Sequence, residues 1–327
     1  APELLKTLKE KNSAVLDKIA KAVQGAKITN IYTAARGTSD HAMIYFKYLA
    51  ESLLGLPTAS GAPSVFTMYG ARMDLSHALT IGCSQSGKAA DVMAITNDAE
   101  SPLAKLAQYH LCCCAGEEKS VAATKTFSCQ LFLAALLAEA MGGKAIADDI
   151  GEKLAAALPA IDKATDAPAQ AFLGAEECFI LSRGISSAIA FECGLKLQET
   201  CYIRARAYHS SDFYHGPMAM VGDKTKVILF AAKHSLRDSL DETHREDYIK
   251  CAQKMKELGA DLYIVTDDAE SFGGSGAKLL CVPTLGNEAE QIFAFALAAQ
   301  MLACKVSCGK GLNPDSPRAL KKVTVTR

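Results

Sequence analysis

Tryptophan is absent from this 327-residue chain, and so is an excess of either charge: 35 Lys and Arg stand against 36 Asp and Glu. With a formal net charge of −1, the chain lacks the basic footprint by which proteins meet a nucleic-acid backbone. Long apolar runs are scarce as well. Leu131 to Gly143 is interrupted by Glu139 and is too short for a bilayer. No charged and then apolar leader opens the chain, so neither a secretion signal nor a membrane anchor is expected. No Gly-x-Gly-x-x-Gly follows a strand pattern, which argues against a dinucleotide enzyme.

Cysteine, by contrast, is abundant at twelve. Runs such as His110-Leu-Cys-Cys-Cys114 sit in apolar strand or helix contexts, without the spacing of a disulfide scaffold. They read as small buried hydrophobes in a reducing cytoplasm. Cys304 and Cys308 could share a helical face, but no His or second Cys pair lies near them, so no metal is expected there.

Half of the residues are apolar, and a chain of this length has room for two cores. Leu4, Leu5, Leu8, Val15, Leu16, Ile19 and Val23 recur at helical spacing, so 1–27 reads as an amphipathic leading helix. A strand over Asn30 to Ala35 then runs through Arg36-Gly-Thr-Ser-Asp40 into a helix. Ala78 to Cys83 repeats the pattern, with Ser84-Gln-Ser-Gly87 as the loop. Two hydroxyl-bearing loops at the carboxyl edge of one parallel sheet suggest a phosphate cradle, although either alone is more often a helix cap. Gly82 to Lys88 also fits seven positions of a P-loop, but the eighth is Ala89, which has no hydroxyl for Mg²⁺. The loop Ala115 to Thr126 offers Glu117, Glu118, Lys119, Thr124 and Lys125 as sugar contacts or as a merely solvated charged segment.

The order of elements recurs after Cys178, which gives an α/β fold of two domains, each a mostly parallel sheet flanked by helices in three layers. The boundaries are 28–145 for the first domain, 146–168 for a connecting helix, 169–310 for the second domain and 311–327 for a basic tail. One spacing is anomalous. Between Gly87 and the strand at Met93 to Thr96 only five residues remain, whereas a parallel crossover takes a dozen or more. Either the first copy has lost its crossover helix or a segment is missing from the sequence, and the second is favoured.

The richest chemistry lies between Phe191 and Pro217. On a helix, Glu192, Lys196 and Glu199 share one face by their i, i+4 and i+3 spacing. His215 follows in Ser210-Ser-Asp-Phe-Tyr-His-Gly-Pro217, read as a polar, aromatic loop held at a turn. A carboxylate, an ammonium and an imidazole are the parts needed to move protons on a sugar. An ordinary solvent-face ion pair and a surface histidine would have the same spacing.

Five segments in order decide between these readings: Ser84-Gln-Ser-Gly87, Ser120-Val-Ala-Ala-Thr-Lys125, Gly194-Leu-Lys-Leu-Gln-Glu199, His215-Gly-Pro217 and Arg318-Ala-Leu-Lys-Lys-Val-Thr324. Together they resemble the tandem sugar-isomerase (SIS) domains of glucosamine-6-phosphate synthase, without its glutaminase domain. The chain is more closely similar to stand-alone SIS-type glucosamine-6-phosphate deaminases, which share segments in the style of Ala35 to His41, Ala115 to Lys119 and Leu312 to Asp315. The resemblance implies phosphate binding by Thr38, Ser39, Ser84, Gln85 and Ser86, and sugar contacts from Gly37, Val121, Ala123 and Thr124. Ala89 and Ala123 depart from the synthase, which carries Thr and Ser there.

By the same likeness His215 opens the sugar ring and Glu199 carries the proton between C2 and C1. Lys196 serves the developing oxyanion, and Lys322 stands at the amine-bearing end as an imine-forming amine or a fixed charge. No metal or organic cofactor is called for. His215 is expected in the site of a neighbouring subunit, which implies a homodimer. Glucosamine 6-phosphate deamination to fructose 6-phosphate is the expected reaction. The alternatives are a fructosamine-6-phosphate deglycase, a galactosamine-6-phosphate deaminase or a non-catalytic sugar-phosphate sensor.

Overall fold

A computed structural model describes residues 1–25, 28–84 and 93–322 of the chain, which divides into two compact units. Unit 1 comprises 1–119, 123–145 and 321–327; unit 2 comprises 120–122 and 146–320. The expected phosphate ligands Gln85 and Ser86 lie outside the described residues, as do Gly87, Lys88 and Ala89.

Unit 1 opens with α1 (Pro2–Gly25), which buries Leu5, Leu8, Asn12, Leu16 and Ile19 at successive three- and four-residue steps. There follow β1 (Asn30–Ala34), α2 (Thr38–Leu49, continued by a π turn over Ala50–Leu54), β2 (Thr58–Ser60) and the short α3 (Pro63–Thr67). β3 (Ala78–Cys83), β4 (Met93–Thr96), α4 (Pro102–Leu106), β5 (Tyr109–Cys112) and α5 (Lys125–Ala140) complete it. The sheet is wholly parallel, in the order β2-β1-β3-β4-β5. β3 and β4 pair directly, Ile81 opposite Met93, although only residues 84–92 separate them. α5 is buried continuously from Thr126 to Ala138, as expected of a helix apolar on all sides, and packs against α1 and α2. Asn12 turns its amide onto edge strand β5: it donates to the Cys112 carbonyl at 3.0 Å and accepts from the Cys112 amide at 2.8 Å.

Unit 2 begins with α6 (Ile150–Ala164) and α7 (Asp166–Ala171), two helices where one connecting helix closed by Pro168 was expected. Pro168 lies in the first turn of α7, where its missing N–H costs nothing. Then come β6 (Glu177–Ser182), α8 (Ser187–Cys201), β7 (Arg204–His209), α9 (Ser210–Tyr214) and β8 (Lys226–Ala231). α10 (Asp241–Glu257), β9 (Asp261–Thr266), α11 (Ala269–Phe272), β10 (Lys278–Cys281) and α12 (Glu288–Gly309) follow. The order β10-β9-β8-β6-β7, again all parallel, repeats that of unit 1 once the strands are renumbered. Both sheets have the doubly wound arrangement in which a switch point opens beside the first strand. α12 is 22 residues long and contains an 18-residue window with a mean hydropathy of 1.6, long and apolar enough to cross a membrane, and it surpasses the run at Leu131 to Gly143. Two thirds of that window is buried, and the helix packs on α8 and α6.

The cysteines divide differently from expectation. Cys281, Cys304 and Cys308 are exposed, while Cys83, Cys113, Cys129, Cys178, Cys193, Cys201 and Cys251 are buried. Among the described residues no group of three or more His, Cys, Asp or Glu is arranged to hold a metal ion.

Candidate functional site

In unit 1 the β1–α2 turn depends on Gly37, whose φ of 54° would strain any side chain. Thr38 and Ser39 follow as the first residues of α2, both buried. The hydroxyl of Ser39 accepts from Gln130 Nε2 of α5 at 3.0 Å and faces the Cys83 thiol at the end of β3. Ser84 continues from Cys83, its backbone N–H donating to the Ile95 carbonyl at 3.0 Å. Glycine turn, helix N-terminus and hydroxyls thus meet at the carboxyl edge of the sheet, where backbone dipoles favour an anion. Asp40 sits in the same first turn of α2, and burial raises its carboxyl while His41 pulls it down.

The loop before α5 is more ordered inward than a solvated charged segment. Glu118 is buried, and its Oε1 accepts from the amides of Thr124 at 2.8 Å and Lys125 at 2.6 Å. Its Oε2 takes the hydroxyl of Thr126. Burial pushes the Glu118 carboxyl up, but the Thr126 and Thr124 bonds and the charge of Lys322 outweigh it and leave it below the usual range. A carboxylate therefore occupies the N-terminus of α5, as the helix dipole favours. Lys322 Nζ lies 3.8 Å from Glu118 Oε2. Lys125 is turned onto the carbonyls of Ala115 and Glu117 at 3.2 and 2.9 Å, whereas Glu117 and Lys119 are exposed. Thr124 is thus engaged by Glu118, and its neighbour Ala123 is half-buried. In unit 2, the Val121 amide donates to the Asp315 carbonyl at 3.0 Å.

In unit 2 the expected helix face is present. Lys196 Nζ stands 3.4 Å from Glu192 Oε1 and 2.6 Å from Glu199 Oε2. Glu192 is wholly buried, Lys196 is 2% exposed, and the Glu199 side chain keeps 24% of its surface. Such burial excludes the solvent-face pair. Desolvation lowers the Lys196 pKa, but the two carboxylates outweigh it and raise it above the usual range, so the ammonium is held charged. Glu199 is the member that both reaches solvent and is fixed by a cation.

His215 does not lie in an irregular loop. It caps α9, and a 3-10 turn over Pro217–Met220 follows. Phe213 anchors α9 in the core, 5.4 Å from the Phe179 ring and 5.3 Å from the Tyr208 ring, and His215 stands exposed two residues on. His209, at the end of β7, was missed in the sequence: its Nδ1 is 2.8 Å from Ser187 Oγ, and its ring meets Phe191 edge-on. Burial lowers its pKa, with Asp212 opposing. The only sequence signal was a second histidine six residues before His215.

The SIS-domain family profile matches residues 66–140 and 172–308. Glutamine–fructose-6-phosphate aminotransferase (isomerizing) of Legionella pneumophila (strain Lens) is 33% identical over 321 residues, covering 91% of this chain and 51% of the relative. The chain therefore spans about half the length of that protein. A Silicibacter pomeroyi DSS-3 structure assigned to the phosphosugar isomerases superposes with a TM-score of 0.77 at 30% identity, covering 96% of this chain and 97% of the other. Glucosamine-6-phosphate deaminase of Thermotoga maritima superposes with a TM-score of 0.72 at 22% identity, covering 98% and 100%, a likeness of fold.

Proposed function

We propose that this chain, which belongs to the SIS-domain family of sugar-phosphate isomerases, converts glucosamine 6-phosphate and water to fructose 6-phosphate and ammonia. The observation that carries this reading is the buried Glu192–Lys196–Glu199 row on α8, with its outer carboxylate open to solvent and bonded to a fixed ammonium.

The phosphate donors are Thr38, Ser39 and Ser84 at the β1–α2 turn and the end of β3, with Gln85 and Ser86 beyond the described residues. His215, exposed at the end of α9, protonates the ring oxygen as the pyranose opens, and it is offered to a second copy of the chain in a homodimer. Glu199 then takes the C2 proton and returns it to C1, a task for a carboxylate that is ionised and accessible. Lys196 stabilises the enediol-like oxygen as charge develops, in a site dry enough for that charge to count. Lys322 stands at the amine-bearing end. The proton shift leaves an imine at C2; water adds to that carbon, the C–N bond breaks, and ammonia leaves with the nitrogen's electron pair.

The test is ammonia release by purified protein with glucosamine 6-phosphate, run beside galactosamine 6-phosphate and a fructosamine 6-phosphate. Release with the first, and fructose 6-phosphate as product, is the expected result. Glu199→Gln should retain sugar-phosphate binding while cutting solvent exchange of the C2 proton by about 10²–10⁴-fold. Unchanged exchange would remove Glu199 from the mechanism.

A further inference from the structure

The α5 face turned toward the β1–α2 turn carries a polar group that packing does not ask for. Gln130 is 1% exposed within a helix whose neighbouring positions Phe127, Leu131, Leu133 and Ala134 form the core. Its Nε2 donates to Ser39 Oγ at 3.0 Å, yet its Oε1 is buried with no hydrogen-bond partner among the described residues. Leaving an amide oxygen desolvated and unmatched costs stability, and a residue kept for structure alone would avoid it.

Hydroxyl chemistry shows what the glutamine does. Ser39 has one hydrogen to give. With an amide N–H occupying its acceptor side, that hydrogen points elsewhere, here to the buried Cys83 sulfur, which is a weak acceptor. A phosphate oxygen at the α2 N-terminus would be a much stronger one.

We propose that Gln130 is a positioning residue of the anion cradle, which fixes the Ser39 hydroxyl as a donor to the bound phosphate. The inference rests on the reading of this turn as the phosphate site. It does not depend on which amino sugar is consumed.

Titration of the full chain with inorganic phosphate and with fructose 6-phosphate tests it, together with steady-state rates. Q130M should weaken both ligands about five- to tenfold, the scale of one ordinary hydrogen bond. KM should rise by the same factor while kcat stays within about twofold. S39A should lose as much, and Q130M in the S39A background should lose nothing more. Q130E, whose carboxylate would draw the Ser39 hydrogen inward, should bind more weakly still, and it carries the test if Q130M does not fold. Additive losses in the double variant, a fall in kcat at constant KM, or wild-type affinity in Q130M would each overturn the proposal. If no amino-sugar phosphate is turned over while phosphate binding follows this pattern, the reaction is wrong and the role of Gln130 stands. If ammonia is released while phosphate affinity is unchanged by Q130M, the reaction stands and the role of Gln130 falls.

Discussion

The two units build the same turn and use it differently. In unit 1, Arg36-Gly37-Thr38-Ser39 leads from the first strand into α2; in unit 2, Arg183-Gly184-Ile185-Ser186 leads from the corresponding strand into α8. Both glycines are left-handed, with φ of 54° and 62°. In unit 1 the neighbour reaching the hydroxyl is the neutral amide of Gln130. In unit 2 it is the carboxyl group of Glu288, whose Oε1 accepts from the Ser186 hydroxyl at 2.8 Å and from its amide at 3.3 Å. The donors that would meet a ligand's anion are therefore spent on one of the chain's own carboxyl groups. Further along α8, unit 2 instead buries Lys196 between two carboxylates, the row to which the proposed mechanism assigns proton transfer. The fold repeats the turn without repeating its partners.

The sharpest way to break this division is to remove the ammonium on which unit 2 depends. Lys196→Met strips the cation from Glu192, which has no surface, and should destabilise the protein by about 3–5 kcal/mol, as the loss of one partner from a buried pair does. Urea unfolding monitored by circular dichroism would show it, and ammonia release should vanish with it. An unaltered midpoint would mean that the row is not an ionic unit.

Glu288 makes a prediction of opposite sign. Burial pushes its carboxyl up from 4.5 to about 8, despite the Ser186 bonds, with Asp267 adding to the rise. A raised folded-state pKa means that this group's stabilisation is complete below about pH 4.5 and is lost as pH rises to about 8. The loss approaches about 1 kcal/mol per pH unit across that window. Glu288→Gln should flatten the pH dependence of unfolding there and leave its variant the more stable above pH 8.

The smallest effect concerns the turns themselves. Gly184→Ala should cost about 1 kcal/mol from its left-handed backbone, because the added Cβ would meet Glu288 Oε1 at an ordinary 3.5 Å. Phosphate affinity should be unchanged. Gly37→Ala should cost a similar amount of stability and also weaken phosphate binding, which calorimetry would separate.

Much of this was readable along the chain. The periodicity of α1 and the strand–turn–helix repeats are local patterns, and the alignment of Glu192, Lys196 and Glu199 follows from 3.6 residues per turn. β2 and β7 were not seen. β2 has three residues, and β7, Arg204-Ala-Arg-Ala-Tyr-His209, puts polar side chains on an edge strand, so neither has an apolar run to announce it. Glu118 looked like one charge in a solvated loop, because nothing local indicates that the amides of Thr124 and Lys125 will turn back onto it. Nothing local marks Asn12 either, because its partner, Cys112, is 100 residues away.

Residue order was enough for what depends on spacing: the two copies of the unit, the glycine turns, and the row of acid and base on α8. Burial and long-range pairing settled the rest. That the Lys196 row is buried, that Ser186 is answered by a carboxyl group and Ser39 by an amide, and that His215 stands exposed beside a buried Phe213 all depend on packing between distant parts of the sequence. The energies of charges and hydrogen bonds depend on the dielectric and the partners around them, and those exist only after the chain has folded.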